Sequence, residues 1–113
     1  MCRYFYDVVK FNIKHIILWK IKEEYSEEEK RMIRENAKRE LEALMGRIDG
    51  LIKMSVEIRP LASSNADLML DSELRDTEAL SSYQKNPLHI AVADTFIRPF
   101  MCQRLCLDCP KGE

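Results

Sequence analysis

One stretch, Tyr83-Gln84-Lys85-Asn86-Pro87-Leu88-His89, combines a phenol with an imidazole six residues later. Asn86 followed by Pro87 is a helix-start signal, because an asparagine side chain accepts from a first-turn amide and proline has no amide to satisfy there. His89 is thereby expected in the first turn of a helix, where the positive end of the dipole disfavours imidazolium and leaves a neutral base. Tyr83, just ahead of the Asn86 cap, could donate to a substrate carbonyl or an enolate oxygen. A general base beside such a donor suits an aldol-type step without a cofactor. The plain structural alternative is a buried histidine with one hydrogen bond and a core tyrosine.

The cysteines offer a second chemistry. Cys102, Cys106 and Cys109 lie close together in sequence and Cys2 far from them. In the apparent terminal strand 101–109, Cys102 and Cys106 share one face and Cys109 takes the other. A tetrahedral metal site needs convergent ligands, and no second pair lies nearby, so free thiols in a reducing compartment are expected. No metal and no cofactor is expected. No Gly-rich phosphate loop, Ser-His-Asp order or H-E-x-x-H motif is present.

The positioning elements follow from periodicity. Ile13, His15, Ile17, Trp19 and Ile21 fall on one face of a strand, apolar except for His15. Ser26-Glu27-Glu28-Glu29 is a capping box that starts a helix, and Ile33, Ala37, Leu41 and Leu44 form its apolar stripe up to Gly46. Asp49-Gly50 turns into a second strand in which Ile52, Met54, Val56 and Ile58 alternate with polar residues. After Pro60 and a short loop, Ala66, Leu68, Leu70, Ser72 and Leu74 are predicted as the inward face of a third strand, with Glu73 outward. Asp76 caps a short helix carrying Ala79, Leu80 and Tyr83. The helix begun at Asn86 presents His89, Val92, Ala93, Phe96 and Phe100 on one face, with Pro99 near its end. A last strand and a polar tail, 110–113, complete the chain; residues 1–12 form an N-terminal extension of unresolved pattern.

The order β-α-β-β-α-β is the ferredoxin-like, α+β arrangement: a four-stranded antiparallel sheet with helices on one face. The other face carries Ile16, Leu18 and Met69 amid charges, too apolar to be left in water. Pairing with the same face of a second copy, a homodimer, covers it. The formal net charge of −1, from 18 basic and 19 acidic residues among 113, argues against nucleic acid as a partner. No apolar run reaches the roughly 18 residues a membrane helix needs, and the start lacks a secretory signal, so a cytoplasmic protein is expected.

In this order, the strand Ile13-Lys14-His15-Ile16-Ile17-Leu18-Trp19-Lys20, the capped helix up to Gly46-Arg47-Ile48-Asp49-Gly50, Ala66-Asp67-Leu68-Met69-Leu70, and Tyr83 with Asn86-Pro87-Leu88-His89 resemble the stress-responsive A/B barrel (Dabb) family. The resemblance runs over residues 13–109 and implies a dimeric α+β barrel whose two sheets face each other, with residues 1–12 preceding the usual start. In cyclase-type members a tyrosine and a histidine resembling Tyr83 and His89 act on a polyketide, and a strand histidine like His15 lines the same pocket. Two positions depart from that pattern: the first histidine of H-P-x-H is Asn86, and the cyclase's third-strand histidine falls at Leu68. The resemblance therefore implies a pocket for a small hydrophobic molecule, with His89 and Tyr83 as candidate catalytic residues and His15, Trp19, Leu68 and Phe96 as its lining. Two functions remain open: a ligand-binding, stress-associated dimer without turnover, or a cofactor-independent enzyme of the lyase or cyclase type.

Overall fold

The computed structural model describes residues 11–112, so all but the last two residues of the expected extension over residues 1–12 lie outside the described residues. Four strands, β1 (Ile13–Ile21), β2 (Leu51–Glu57), β3 (Leu68–Leu74) and β4 (Met101–Pro110), form one antiparallel sheet in the order β2-β3-β1-β4. Helix α1 (Glu27–Glu42) crosses from β1 to β2, and α2 (Thr77–Lys85) and α3 (Pro87–Val92) lie between β3 and β4. The ferredoxin-like order expected from the pattern is the order observed. The last helical segment is split into two at Asn86, which ends α2 and caps α3 through its side chain (Leu88 N to Asn86 Oδ1, 2.9 Å).

Local sequence explains most of these boundaries. The capping box at α1 is complete: Glu29 N donates to Ser26 Oγ at 3.1 Å and Ser26 N to Glu29 Oε1 at 2.8 Å. Ile33, Ala37 and Leu41 recur every four residues, and all three are buried against the sheet. In β1 the alternation is carried through: Ile13, His15, Ile17, Trp19 and Ile21 are all buried under the helices. Gly50 has φ +85°, and a side chain there would place its Cβ 2.6 Å from that of Ala79, so glycine serves both the turn and the approach of α2.

Three details depart from the predicted pattern. In β2 the inward positions are Leu51, Met54 and Val56, while Ile52 is exposed. The β2–β3 register shifts between Leu51 and Lys53, and this bulge inserts one residue and reverses the alternation before it. Glu73 lies on the outward face yet is only 4% exposed, accepting from Asn12 Nδ2 at 2.6 Å and pairing with Lys111 Nζ at 3.1 Å. Its burial alone would raise the carboxyl pKa, but the two donors outweigh that and hold it below the ordinary value. Finally, α3 passes into a π-helical turn, Ala93–Ile97, and a 3-10 turn, Arg98–Phe100, ahead of β4. The wider π turn moves the buried face so that Ile97 joins the core, with Phe96 and Phe100 packed only partly against it.

The edge strand β2 is closed at one point by helix α1. Val56 N donates to Glu42 Oε2 at 2.9 Å, and Lys38 Nζ donates to Val56 O at 2.8 Å. On the face away from the helices, Leu18 pairs across with Met69 on one side and Leu105 on the other, and Ile16 with Leu107. Leu105 and Leu107 are 65% and 62% exposed and Leu18 37%, so the outer face carries the expected Leu18 and, beyond the expected residues, two exposed leucines of β4.

Candidate functional site

Between the inner face of the sheet and the α2–α3 connection lies a cavity of about 250 Å³. Its floor is β1, which presents His15, Ile17 and Trp19; α1 adds Leu41 and β3 adds Leu70. Tyr83 and Gln84 enter from the end of α2, His89 from the first turn of α3, and Ala93 and Ile97 from the π turn. His89, Ala93 and Ile97 follow at spacings of four, so the helical path that caps at Asn86 sets one wall. Arg98 and the stretch Met101–Arg104 form the rim.

The three residues singled out for chemistry do come together. The Tyr83 and His89 rings are 4.3 Å apart at 42°, and the His15 and Tyr83 rings are 6.1 Å apart, edge to face. Tyr83 is fully buried and is thus a wedge between two imidazoles. Its hydroxyl and His89 Nδ1 are both buried without a hydrogen-bond partner among the described residues. Such a group costs roughly 1–3 kcal/mol when left unsatisfied, so two of them on adjacent rings call for an explanation.

Electrostatics separates their roles. The His89 pKa is lowered first by burial; the Gln84 carbonyl opposes this, and the charges of Arg98, His15 and Arg104 add to it. The expected neutral imidazole is therefore present, but its main cause is desolvation, and α3 spans only six residues. The Tyr83 phenol is pushed well above its ordinary value by burial, with Arg104 acting against the shift, so it remains a donor. A stability consequence follows. The unfolded chain takes up a proton on His89 near its unperturbed value of about 6.5, and the folded chain only at lower pH. The His89 contribution should be fully present above about pH 6.5 and be lost as pH falls through the lowered folded value. Urea midpoints measured across this range should fall more steeply for the parent than for His89→Gln; parallel curves would contradict the assignment.

Of the four lining residues expected from sequence, His15 and Trp19 border the cavity, whereas Leu68 and Phe96 do not. Leu68 is buried in the core near the far end of β3, and Phe96 lies with Tyr25, Met32 and Phe100 along a separate depression between α1 and the π turn. The sequence pattern singled out Cys106 only among the cysteines and gave no notice of Arg104 or Asp108. Asp108 stands opposite His15 and Cys106 opposite Ile17 in the β1–β4 ladder, so both share the His15 face. His15 Nδ1 lies 2.5 Å from Asp108 Oδ1 and 3.9 Å from Cys106 Sγ. Local sequence offered Cys106 no convergent partner, and strand pairing supplies one. Only the alternation of Cys106 and Asp108 hinted at a shared face; their partner His15, 91 and 93 residues away, depends on register.

A family model described as the stress responsive A/B barrel domain matches residues 13–111. No curated protein matches the chain. A dimeric ferredoxin-like protein of unknown function from Bacteroides fragilis superposes with a TM-score of 0.83 at 25% identity, over 88% of this chain and 96% of that one. A Dabb family protein from Mesorhizobium loti gives 0.68 at 22% identity, over 89% and 98%. A hydroxynitrile lyase from Passiflora edulis gives 0.68 at 12% identity, over 92% and 96%. The last two likenesses concern the fold alone. With the four-stranded sheet, its helical layer and the family match over nearly its whole length, the chain belongs to the stress responsive A/B barrel domain family.

Proposed function

We propose that the protein is a homodimer, paired through the outer face of its sheet, in which each subunit's cavity binds a small, largely apolar molecule bearing an oxygen function. The observation that carries the binding reading is the pair of unpartnered buried polar atoms, Tyr83 Oη and His89 Nδ1, on two rings that border one cavity. A ligand oxygen that accepts from the phenol and donates to the imidazole would satisfy both, while Ile17, Trp19, Leu41 and Leu70 would hold its apolar part. The cavity is smaller than the roughly 300–1,000 Å³ of sites for drug-sized ligands, which favours a compact molecule. The dimer reading is supported by the Leu18, Leu105 and Leu107 patch and by the dimeric description of the Bacteroides fragilis neighbour. A cytoplasmic setting suits the free thiols of Cys102, Cys106 and Cys109.

A second reading, acid–base turnover, is favoured by one feature: a phenol held protonated beside an imidazole held neutral. In it His89 removes a proton from the ligand and Tyr83 stabilises the oxyanion that forms. A thermal-shift screen of small hydroxy acids, quinones and polyketide-like compounds tests both. At least one compound is expected to raise the unfolding midpoint of the parent, and Tyr83→Phe and His89→Gln should each weaken that binding. No shift with any compound, or equal shifts in both variants, would sink the binding reading. Turnover of a bound compound that vanishes in His89→Gln while binding persists would establish the second.

A further inference from the structure

We infer that His15, Cys106 and Asp108 form a binding site for a single divalent transition-metal ion, zinc being the best fit. The three donor atoms, an imidazole nitrogen, a thiol sulfur and a carboxylate oxygen, lie within 4.8 Å of one another. They are brought together by the β1–β4 ladder, at the edge of the sheet, which sets His15 against Asp108 and Ile17 against Cys106. His15 is 2% exposed and its strand is pinned from the other side by Ser72 Oγ, which donates to His15 O at 2.8 Å. One ligand is therefore rigid, while Cys106 and Asp108 are exposed and leave a path for an ion and a place for solvent.

Geometry distinguishes this cluster from a nucleophilic triad. In a triad the imidazole uses its two nitrogens in opposite directions, one toward the orienting carboxylate and one toward the nucleophile. Here Asp108 and Cys106 both approach the same nitrogen, Nδ1, at 2.5 and 3.9 Å, so the ring cannot relay a proton between them. Three donors converging on one point are what a cation requires. Tetrahedral zinc, with bonds of about 2.0 Å to nitrogen and oxygen and about 2.3 Å to sulfur, has ligand–ligand edges of roughly 3.3–3.6 Å. The Cys106 Sγ to Asp108 Oδ1 separation is 3.6 Å and the sulfur–nitrogen separation is 3.9 Å. The 2.5 Å nitrogen–oxygen contact would open by under about 1 Å as the ion replaces the shared proton. A mixed nitrogen, sulfur and oxygen set excludes magnesium and calcium, which take oxygen ligands, and suits zinc or cobalt. Because His15 also borders the cavity, the ion would hold one of its walls in place, yet the site stands independently of any ligand there.

The test uses the full chain stripped by a chelator and titrated with zinc chloride and, as a spectroscopic probe, cobalt chloride. One ion per chain is expected, with a thiolate-to-cobalt charge-transfer band in the near ultraviolet. Cys106→Ser should abolish that band, and it and Asp108→Asn should each weaken binding by 10- to 100-fold or more, about the loss that even an outer-shell partner causes. Cys109→Ser, on the opposite face beside Lys14, should bind as the parent does. Should Cys106→Ser not fold, the parent's charge-transfer band and Asp108→Asn still decide the matter. No saturable binding, binding without the thiolate band, or unchanged affinity in Asp108→Asn overturns the site.

Discussion

Leu105→Glu is expected to convert the dimer to a monomer without unfolding the chain. Leu105 is among the most exposed apolar residues on the outer sheet face and faces Leu18 across the β1–β4 ladder. Its substitution removes nothing from the core beneath. A leucine side chain taken out of water contributes about 1.5–3 kcal/mol, and a two-fold interface counts each residue twice. Losing about 3–6 kcal/mol of association corresponds to roughly a 100- to 10,000-fold rise in the dissociation constant, at about 1.4 kcal/mol per decade. Sedimentation at micromolar concentration should give twice the chain mass for the parent and the single mass for the variant. A parent that already sediments as one chain would refute the pairing itself. A variant that stays dimeric would move the interface away from this face.

Tyr83→Phe is expected to stabilise the protein while weakening ligand binding. The ring is fully buried and phenylalanine preserves its packing against His15 and His89. What disappears is a hydroxyl with no hydrogen-bond partner among the described residues, whose isolation costs about 1–3 kcal/mol. Removing it should raise the urea midpoint with no change in the slope of the transition, because the surface exposed on unfolding is the same. A lower midpoint would mean that the hydroxyl has a partner in solution and is not waiting for a ligand. The opposite signs of the two effects matter: a purely structural tyrosine would not gain stability and lose binding from one atom.

Much of the scaffold was legible because it rests on local rules. The β1 alternation from Ile13 to Ile21, the Ser26–Glu29 capping box and the Asn86-Pro87 start each involve neighbours in sequence, and each is found as expected. The second strand was not, because Leu51-Ile52-Lys53-Met54 offers an apolar residue to either face until the bulge chooses one. Phe96 was misplaced by extending a 3.6-residue period through a segment that follows a π turn, which puts Ile97 at the cavity instead. Leu68 was expected there only through the resemblance, and its side chain belongs to the core. The pairing of His15 with Cys106 and Asp108 was invisible for a different reason. Strand order and register, unlike periodicity, are decided by the whole chain at once.

The contacts of Glu42 and Lys38 with Val56 bear on how copies of this chain can assemble. An unpaired edge strand offers its amides and carbonyls to any passing strand, which is the usual route to open-ended stacking. At Val56 both groups are already engaged by side chains of α1, so an incoming strand would have to displace a carboxylate and an ammonium to bond at that position. Strand addition at that point of the β2 edge is thereby discouraged. Pairing across the leucine face, as proposed above, would instead let two copies exhaust each other's surface, and growth would stop.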